Sequence, residues 1–148
     1  MDRRPIVPES MLAIPRTRGY LPGLVAGGFL FAAGQVGRTR DLVVISDPEA
    51  QFVACFENLR LVLAEAGCGF EDIVDLTTYH VDFATHWPLF RAVRERFLPG
   101  ASFPLTCVGV TALAAPGLLL EVKAIARLPA GAAPLQSDSA TRRTGALV

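Results

Sequence analysis

A chain of 148 residues is of a length for one domain, and 51% hydrophobic against 19% charged residues allow that domain a proper core. Fourteen basic and fourteen acidic residues cancel, which excludes both a basic nucleic-acid footprint and an acidic solvating chain as organising features. The longest apolar stretches, 23–34 and 110–120, fall short of the about 20 residues of a membrane helix and carry Gly or Pro, so no membrane span is expected.

Cys55, Cys68 and Cys107 form an odd set without metal-ligand spacing, and Met1-Asp2-Arg3-Arg4-Pro5 leads into no apolar run of signal-peptide type. The expectation is a cytoplasmic protein with reduced thiols and no metal. Residues 1–18 hold three prolines and four arginines with little periodicity, and read as an arm over the surface rather than a first element. Two apolar runs, 24–26 and 29–33, flank Gly27-Gly28, the signal for a hairpin with a primed turn. Residues 34–41 form a Gly- and charge-rich loop that is a candidate cleft edge but lacks the pattern of a phosphate loop, and 42–45 read as a short β segment.

Ser46 or Asp47 can cap a helix with Pro48 in its first turn, and Glu49 can complete a capping box with Ser46. Phe52, Cys55, Phe56, Leu59, Val62 and Leu63 recur at helical spacing up to a stop at Gly67, so Cys55 reads as core. Residues 74–82, rich in β-branched and aromatic types, predict a strand. Thr85-His86-Trp87-Pro88 opens a second helix with Trp87, Phe90, Val93 or Arg94 and Phe97 inward, ended by Pro99-Gly100. Strands over 103–110 and 118–127 follow and are expected to be neighbours, bringing the Cys107 thiol, backbone amides and the Glu121 carboxylate together. From 129 the composition turns to Ala, Gly, Pro, Ser and Thr and predicts a flexible tail. The element order folds most simply into an α+β sandwich, one sheet with two helices on a single face, whose other face wants a partner subunit.

Gly19-Tyr20, Phe31-Ala32-Ala33-Gly34-Gln35, Phe103-Pro104, Cys107-Val108-Gly109-Val110 and Glu121-Val122-Lys123-Ala124-Ile125-Ala126 occur in an order and spacing that resembles the Rid family, also called YjgF or L-PSP, over roughly 18–128. This places the Rid-like domain at 19–128, between the arm and the tail. The resemblance implies a chorismate-mutase-like fold of the bacillus type, a homotrimer with a barrel-like centre, and ligand clefts between subunits. It implies hydrolysis of small reactive enamines or imines to carbonyl compounds and ammonia, with no cofactor or metal. By position, Tyr20 resembles the residue that closes the cleft, Cys107 the one whose backbone holds substrate or water, and Glu121 the carboxylate that activates water. Gln35 resembles a strand end near the cleft.

The family's active deaminases carry an Arg in a Pro-Ala-Arg-Ser/Thr segment; here Pro104-Leu105-Thr106-Cys107 is one residue shorter and places Leu105 and Thr106 there. A guanidinium makes two charge-assisted hydrogen bonds to a carboxylate and leucine makes none, a difference of about 2–5 kcal/mol in binding. Arg38 or Arg40 is a substitute anchor, or else a solvated loop charge. Glu121 among apolar neighbours has a partner or a task, whereas Cys107 is equally readable as a small hydrophobe, and Tyr20 as a subunit-edge aromatic. His80 and His86 are poorly spaced for metal. Two functions stand: the deaminase, and a trimer of the same fold that binds a small metabolite without turnover.

Overall fold

The computed structural model describes residues 3–100 and 102–131. The predicted tail lies, from 132 on, outside the described residues. The strands are β1 (Arg3–Ile6), β2 (Gly23–Ala26), β3 (Phe29–Ala32), β4 (Gln35–Val36), β5 (Ile73–Val81), β6 (Leu105–Val110) and β7 (Leu120–Arg127). The helices are α1 (Ala13–Arg18), α2 (Pro48–Glu65) and α3 (Phe83–Phe97). All strands join one mixed sheet in the order β1-β2-β3-β7-β5-β6, with β4 also paired to β7. Every pairing is antiparallel except β5 with β6, and α3 is the crossover that a parallel pair requires.

Strand alternation sorts the two faces. In β7, Leu120, Val122, Ala124 and Ala126 are buried toward the helices, while Glu121, Lys123, Ile125 and Arg127 point to the other face. The helix α2 meets this apolar layer with the predicted stripe of Phe52, Cys55, Phe56, Leu59, Val62 and Leu63, all fully buried. Asp47 caps α2, its Oδ2 accepting from the Ala50 N–H at 2.8 Å. Glu49 turns instead to Arg96 of α3, whose Nη1 donates to it at 2.8 Å. Gly27 and Gly28, at φ 58° and 84°, make the predicted hairpin turn, which side chains other than glycine adopt with difficulty.

Two expectations are corrected. Residues 3–18 are not a surface arm: β1 pairs with β2 and Ile6, Met11 and Ile14 enter the core, because these apolar residues are spaced too irregularly for either period yet all fall on the covered side. Nor are β6 and β7 neighbours. The β5 strand runs between them, pairing Thr78 with Cys107 on one side and with Val122 on the other. The predicted start of the second helix, at Thr85, is two residues late, since α3 begins at Phe83 and holds Pro88 in its interior.

His80, on the helix side of β5, is fully buried among the rings of Phe83, Trp87 and Phe90. Its Nε2 shares a 2.7 Å hydrogen bond with the Thr78 hydroxyl, while Nδ1 has no protein partner. Burial lowers its pKa to about 4, so the imidazole is neutral in the fold. The unfolded chain binds the proton near the ordinary value of about 6.5. Stability is therefore complete above that value and declines as pH falls toward 4, since the unfolded state then holds more protons. Urea midpoints, followed through the single tryptophan Trp87 beside His80, are expected to drop between pH 6.5 and 4.5. His80→Phe should flatten that slope, and an equal slope in both proteins would refute the assignment.

Candidate functional site

Along the open face of the sheet a cleft of about 610 Å³ is lined by residues of the sheet, of the end of α1 and of the connecting loops. Its floor is Glu121 and Lys123 of β7 with Tyr79 of β5, and Tyr79 sits directly opposite Glu121 in the ladder. Tyr20 and Arg38 form one side, joined by a 2.6 Å hydrogen bond from Arg38 Nη2 to the Tyr20 hydroxyl. Leu42 and Val44, from the loop after β4, and Leu113, Ala115 and Leu118, from the loop before β7, form an apolar wall.

Glycine shapes the polar end. A Cβ at Gly34 would overlap the Glu121 carboxylate, so the Glu121 side chain lies directly over the bare Gly34 backbone. Burial raises the pKa of Glu121, with Arg38 and Lys123 acting in the opposite sense. The carboxylate therefore holds a proton more readily than an exposed one, as a general base requires. The ion pairs among the described residues, Arg60–Glu57 and Arg96–Glu49, lie on the helices. Arg18, Arg38 and Lys123 line the cleft and have, among the described residues, no carboxylate within ion-pair distance.

The predicted site residues divide into two groups. Tyr20, Arg38 and Glu121 come together in the cleft. Leu105 and Cys107 pack on the helix side of β6 against the core, so in one chain neither faces the cleft. Thr106 is on the open face but lies opposite Thr77, which separates it from Lys123. With β5 interposed, β6 stands about 10 Å from β7, two interstrand spacings. Gln35 is buried on the helix side, its Nε2 donating to the Ala33 carbonyl at 3.0 Å. Arg40, the alternative anchor, borders a separate small cavity with Ser10 and Asn58.

Two residues that position the site have no motif to announce them. Gln51, on α2, is fully buried and its Nε2 donates to the carbonyls of Ile45 and Gly117 at 2.8 and 2.9 Å. Its Oε1 accepts from the Leu119 N–H at 2.7 Å. The amide thus ties together the two loops that carry the apolar wall. Asn58, two turns further on, donates to the Val36 carbonyl at 2.9 Å and fixes the strand that leads into Arg38. A polar residue interrupting an apolar helix stripe was the available signal. Among the described residues no cluster of three or more His, Cys, Asp or Glu could hold a metal ion, and no helix is long and apolar enough to cross a membrane.

Residues 11–128 match the sequence profile of the family described as Endoribonuclease L-PSP. The chain belongs to the YjgF/L-PSP family. Within it, the chain is 34% identical over 130 residues to the RutC family protein YjgH of Escherichia coli, covering 87% of this chain and 98% of that protein. It is 32% identical over 114 residues to the RutC family protein slr0709 of Synechocystis, covering 74% and 86%. The solved structure of protein YJGH superposes with a TM-score of 0.81 at 34% identity, over 87% of this chain and 98% of that one. Rv2704 of Mycobacterium tuberculosis, a member of the YjgF/YER057c/UK114 family, gives 0.72 at 26% identity over 86% and 100%. The Rid resemblance read from the sequence is thus a family membership, and the α+β fold is that of the L-PSP family.

Replacing Gln51 by Leu would leave two part-buried carbonyls and one part-buried N–H without their partner, at up to about 1–3 kcal/mol for each group. Urea unfolding of Gln51→Leu is expected to show a loss of at least about 2 kcal/mol, and Gln51→Glu should not recover it, because a carboxylate oxygen would replace the amide nitrogen that donates to the Ile45 and Gly117 carbonyls. A Gln51→Leu protein as stable as the wild type would show that the amide does not hold the loops.

Proposed function

We propose that this L-PSP family protein hydrolyses a small carboxylate-bearing enamine or imine to a carbonyl compound and ammonia, as a homotrimer with clefts between subunits. The observation that carries the reading is the Glu121 carboxylate, raised in pKa and seated over Gly34 beside the Tyr20–Arg38 pair. In this reading Arg38 holds the substrate carboxylate in place of the Arg that the Leu105 segment lacks, and Tyr20 orients the guanidinium. Glu121 takes a proton from water as the water oxygen bonds to the imine carbon. The proton passes to nitrogen to give a carbinolamine, whose hydroxyl proton then moves to the amino group as the C–N bond breaks, so that ammonia leaves and the carbonyl forms. An enamine first takes a proton at carbon to become the imine.

Assembly is supported by the open sheet face, where Phe29, Phe31 and Val108 remain 38%, 44% and 37% exposed, an apolar surface of the kind that partner subunits cover. As an exposed edge strand, β6 is available to a neighbour, so its Leu105–Cys107 segment would complete the cleft of an adjacent subunit in the trimer. Light scattering on the full chain is expected to give three times the monomer mass. Phe31→Glu should shift it toward monomer, and a monomeric wild type would sink the assembly.

Imines generated in situ from amino acids by an amino-acid oxidase serve as substrate, with carbonyl product and ammonia followed. The expected rate falls about 10²–10⁴-fold in Glu121→Gln, the usual contribution of a general base. Its pH profile should have an acid limb inflecting above the ordinary carboxylate range, because burial raises the proton affinity of the base. Ligand-induced thermal shifts with no acceleration over buffer would replace the hydrolase by a binding protein.

A further inference from the structure

We infer that a second, smaller cavity, behind the loop after β4, binds a small α-amino acid, with the ammonium at the side-chain oxygens of Gln35 and Asn58 and the carboxylate at Arg40. The cavity measures about 220 Å³ and is bordered on one side by Ser10, Met11 and Ile14 of the N-terminal segment. At about 30 Å³ per water it holds roughly seven, which suits a small amino acid and falls below the space that drug-sized ligands occupy. It is separate from the cleft over Glu121. Arg38 and Leu42 line both spaces, and Leu42 packs against the core, so the loop that carries them is the partition.

The inner end of the cavity lacks donors. Gln35 is only 4% exposed, and its Nε2 donates to the Ala33 carbonyl at 3.0 Å, which fixes the orientation of the amide. Its Oε1 receives no hydrogen bond among the described residues. Asn58 commits its Nδ2 to the Val36 and Arg38 carbonyls at 2.9 and 3.5 Å, so its Oδ1 is the atom left for a ligand. Neither oxygen is sealed in: among the described residues the unpaired side-chain polar atoms closed off from solvent are His80 Nδ1 and Arg94 Nε. Amide oxygens at such depth ordinarily accept a hydrogen bond, and both residues line the same cavity.

The outer end has the opposite character. Arg40 is exposed at the rim and has, among the described residues, no carboxylate within ion-pair distance. Met11, Ile14, Leu42 and Leu61 supply an apolar lining. Acceptors at one end and a cation at the other sort ligands by charge. A plain carboxylate leaves the amide oxygens without donors, and a plain amine leaves the guanidinium without an anion. A zwitterion with a short hydrocarbon side chain meets all of these groups at once, through charge-assisted hydrogen bonds at both ends.

Titration calorimetry on the full chain with L-alanine and L-valine tests the site. Two fragments of valine are the controls: 3-methylbutanoate, which lacks the ammonium, and 2-methylpropylamine, which lacks the carboxylate. Each should bind at least about tenfold more weakly than valine, because each loses hydrogen bonds to a charged group. Gln35→Met, which removes the buried acceptor, and Arg40→Gln, which removes the cation, should each weaken valine by a similar factor. The exposed Arg40 position carries the test should a lowered Tm show that Gln35→Met folds poorly. Glu121→Gln, in the cleft, should leave valine binding unchanged. If neither amino acid binds, if a fragment binds as tightly as valine, or if both Gln35→Met and Arg40→Gln bind valine like the wild type, the inference is overturned. A loss in Glu121→Gln equal to that in Arg40→Gln would also overturn it, by moving the amino acid to the cleft.

Discussion

The buried carboxamide of Gln51 is the constraint on which the cleft depends. Backbone carbonyls and N–H groups that leave a helix or strand inside a protein must find partners, because an unpaired one costs as much as a lost hydrogen bond. The chain between β4 and α2 and the chain before β7 both turn inward at the rim of the sheet, and one side chain of α2 satisfies Ile45, Gly117 and Leu119 at once. Gly37 permits this closeness, since a Cβ there would overlap the Gln51 backbone and side chain. Two loops that would otherwise be independent become one wall. Asn58 extends the same principle to the strand end that carries Arg38.

On that frame the polar end of the cleft is an exercise in balanced charge. Glu121 loses hydration by burial, which favours its protonated form, while Arg38 and Lys123 favour the charged one. The outcome is a carboxyl group whose proton affinity is raised by burial and opposed by two cations. On the helix side the thiol of Cys55 meets different conditions. It is fully buried and donates to the Leu120 carbonyl at 3.4 Å, and desolvation, with Glu121 adding to it, pushes its pKa far up. Cys55 is therefore a neutral bridge between helix and sheet.

Strand order decides how the rest of the family pattern is used. The Leu105–Cys107 segment and Glu121 are close in sequence but are separated by β5, and alternation sends the Leu105 and Cys107 side chains to the face opposite Glu121. The apolar character of Leu105 then has a packing explanation. One cation of the cleft comes from the loop after β4, where Arg38 bridges to Val44 and reaches Tyr20 across 18 residues of sequence.

Much of this fold was legible in the residues themselves. The stripe on α2, the Gly27-Gly28 turn, the β-branched run of β5 and the α+β class all follow from local periodicity and turn chemistry. The family was legible from ordered short motifs, and Tyr20, Arg38 and Glu121 were legible as site candidates. What the sequence could not determine was which strands are neighbours, because hydrogen-bonded pairing is a long-range choice among edges that local pattern does not rank. The insertion of β5 between β6 and β7, the incorporation of residues 3–18 into sheet and core, and the inward placement of Gln35 were settled only in three dimensions. The role of Gln51 belongs there too, since its three partners lie 6, 66 and 68 residues away and meet only when the sheet has closed over α2.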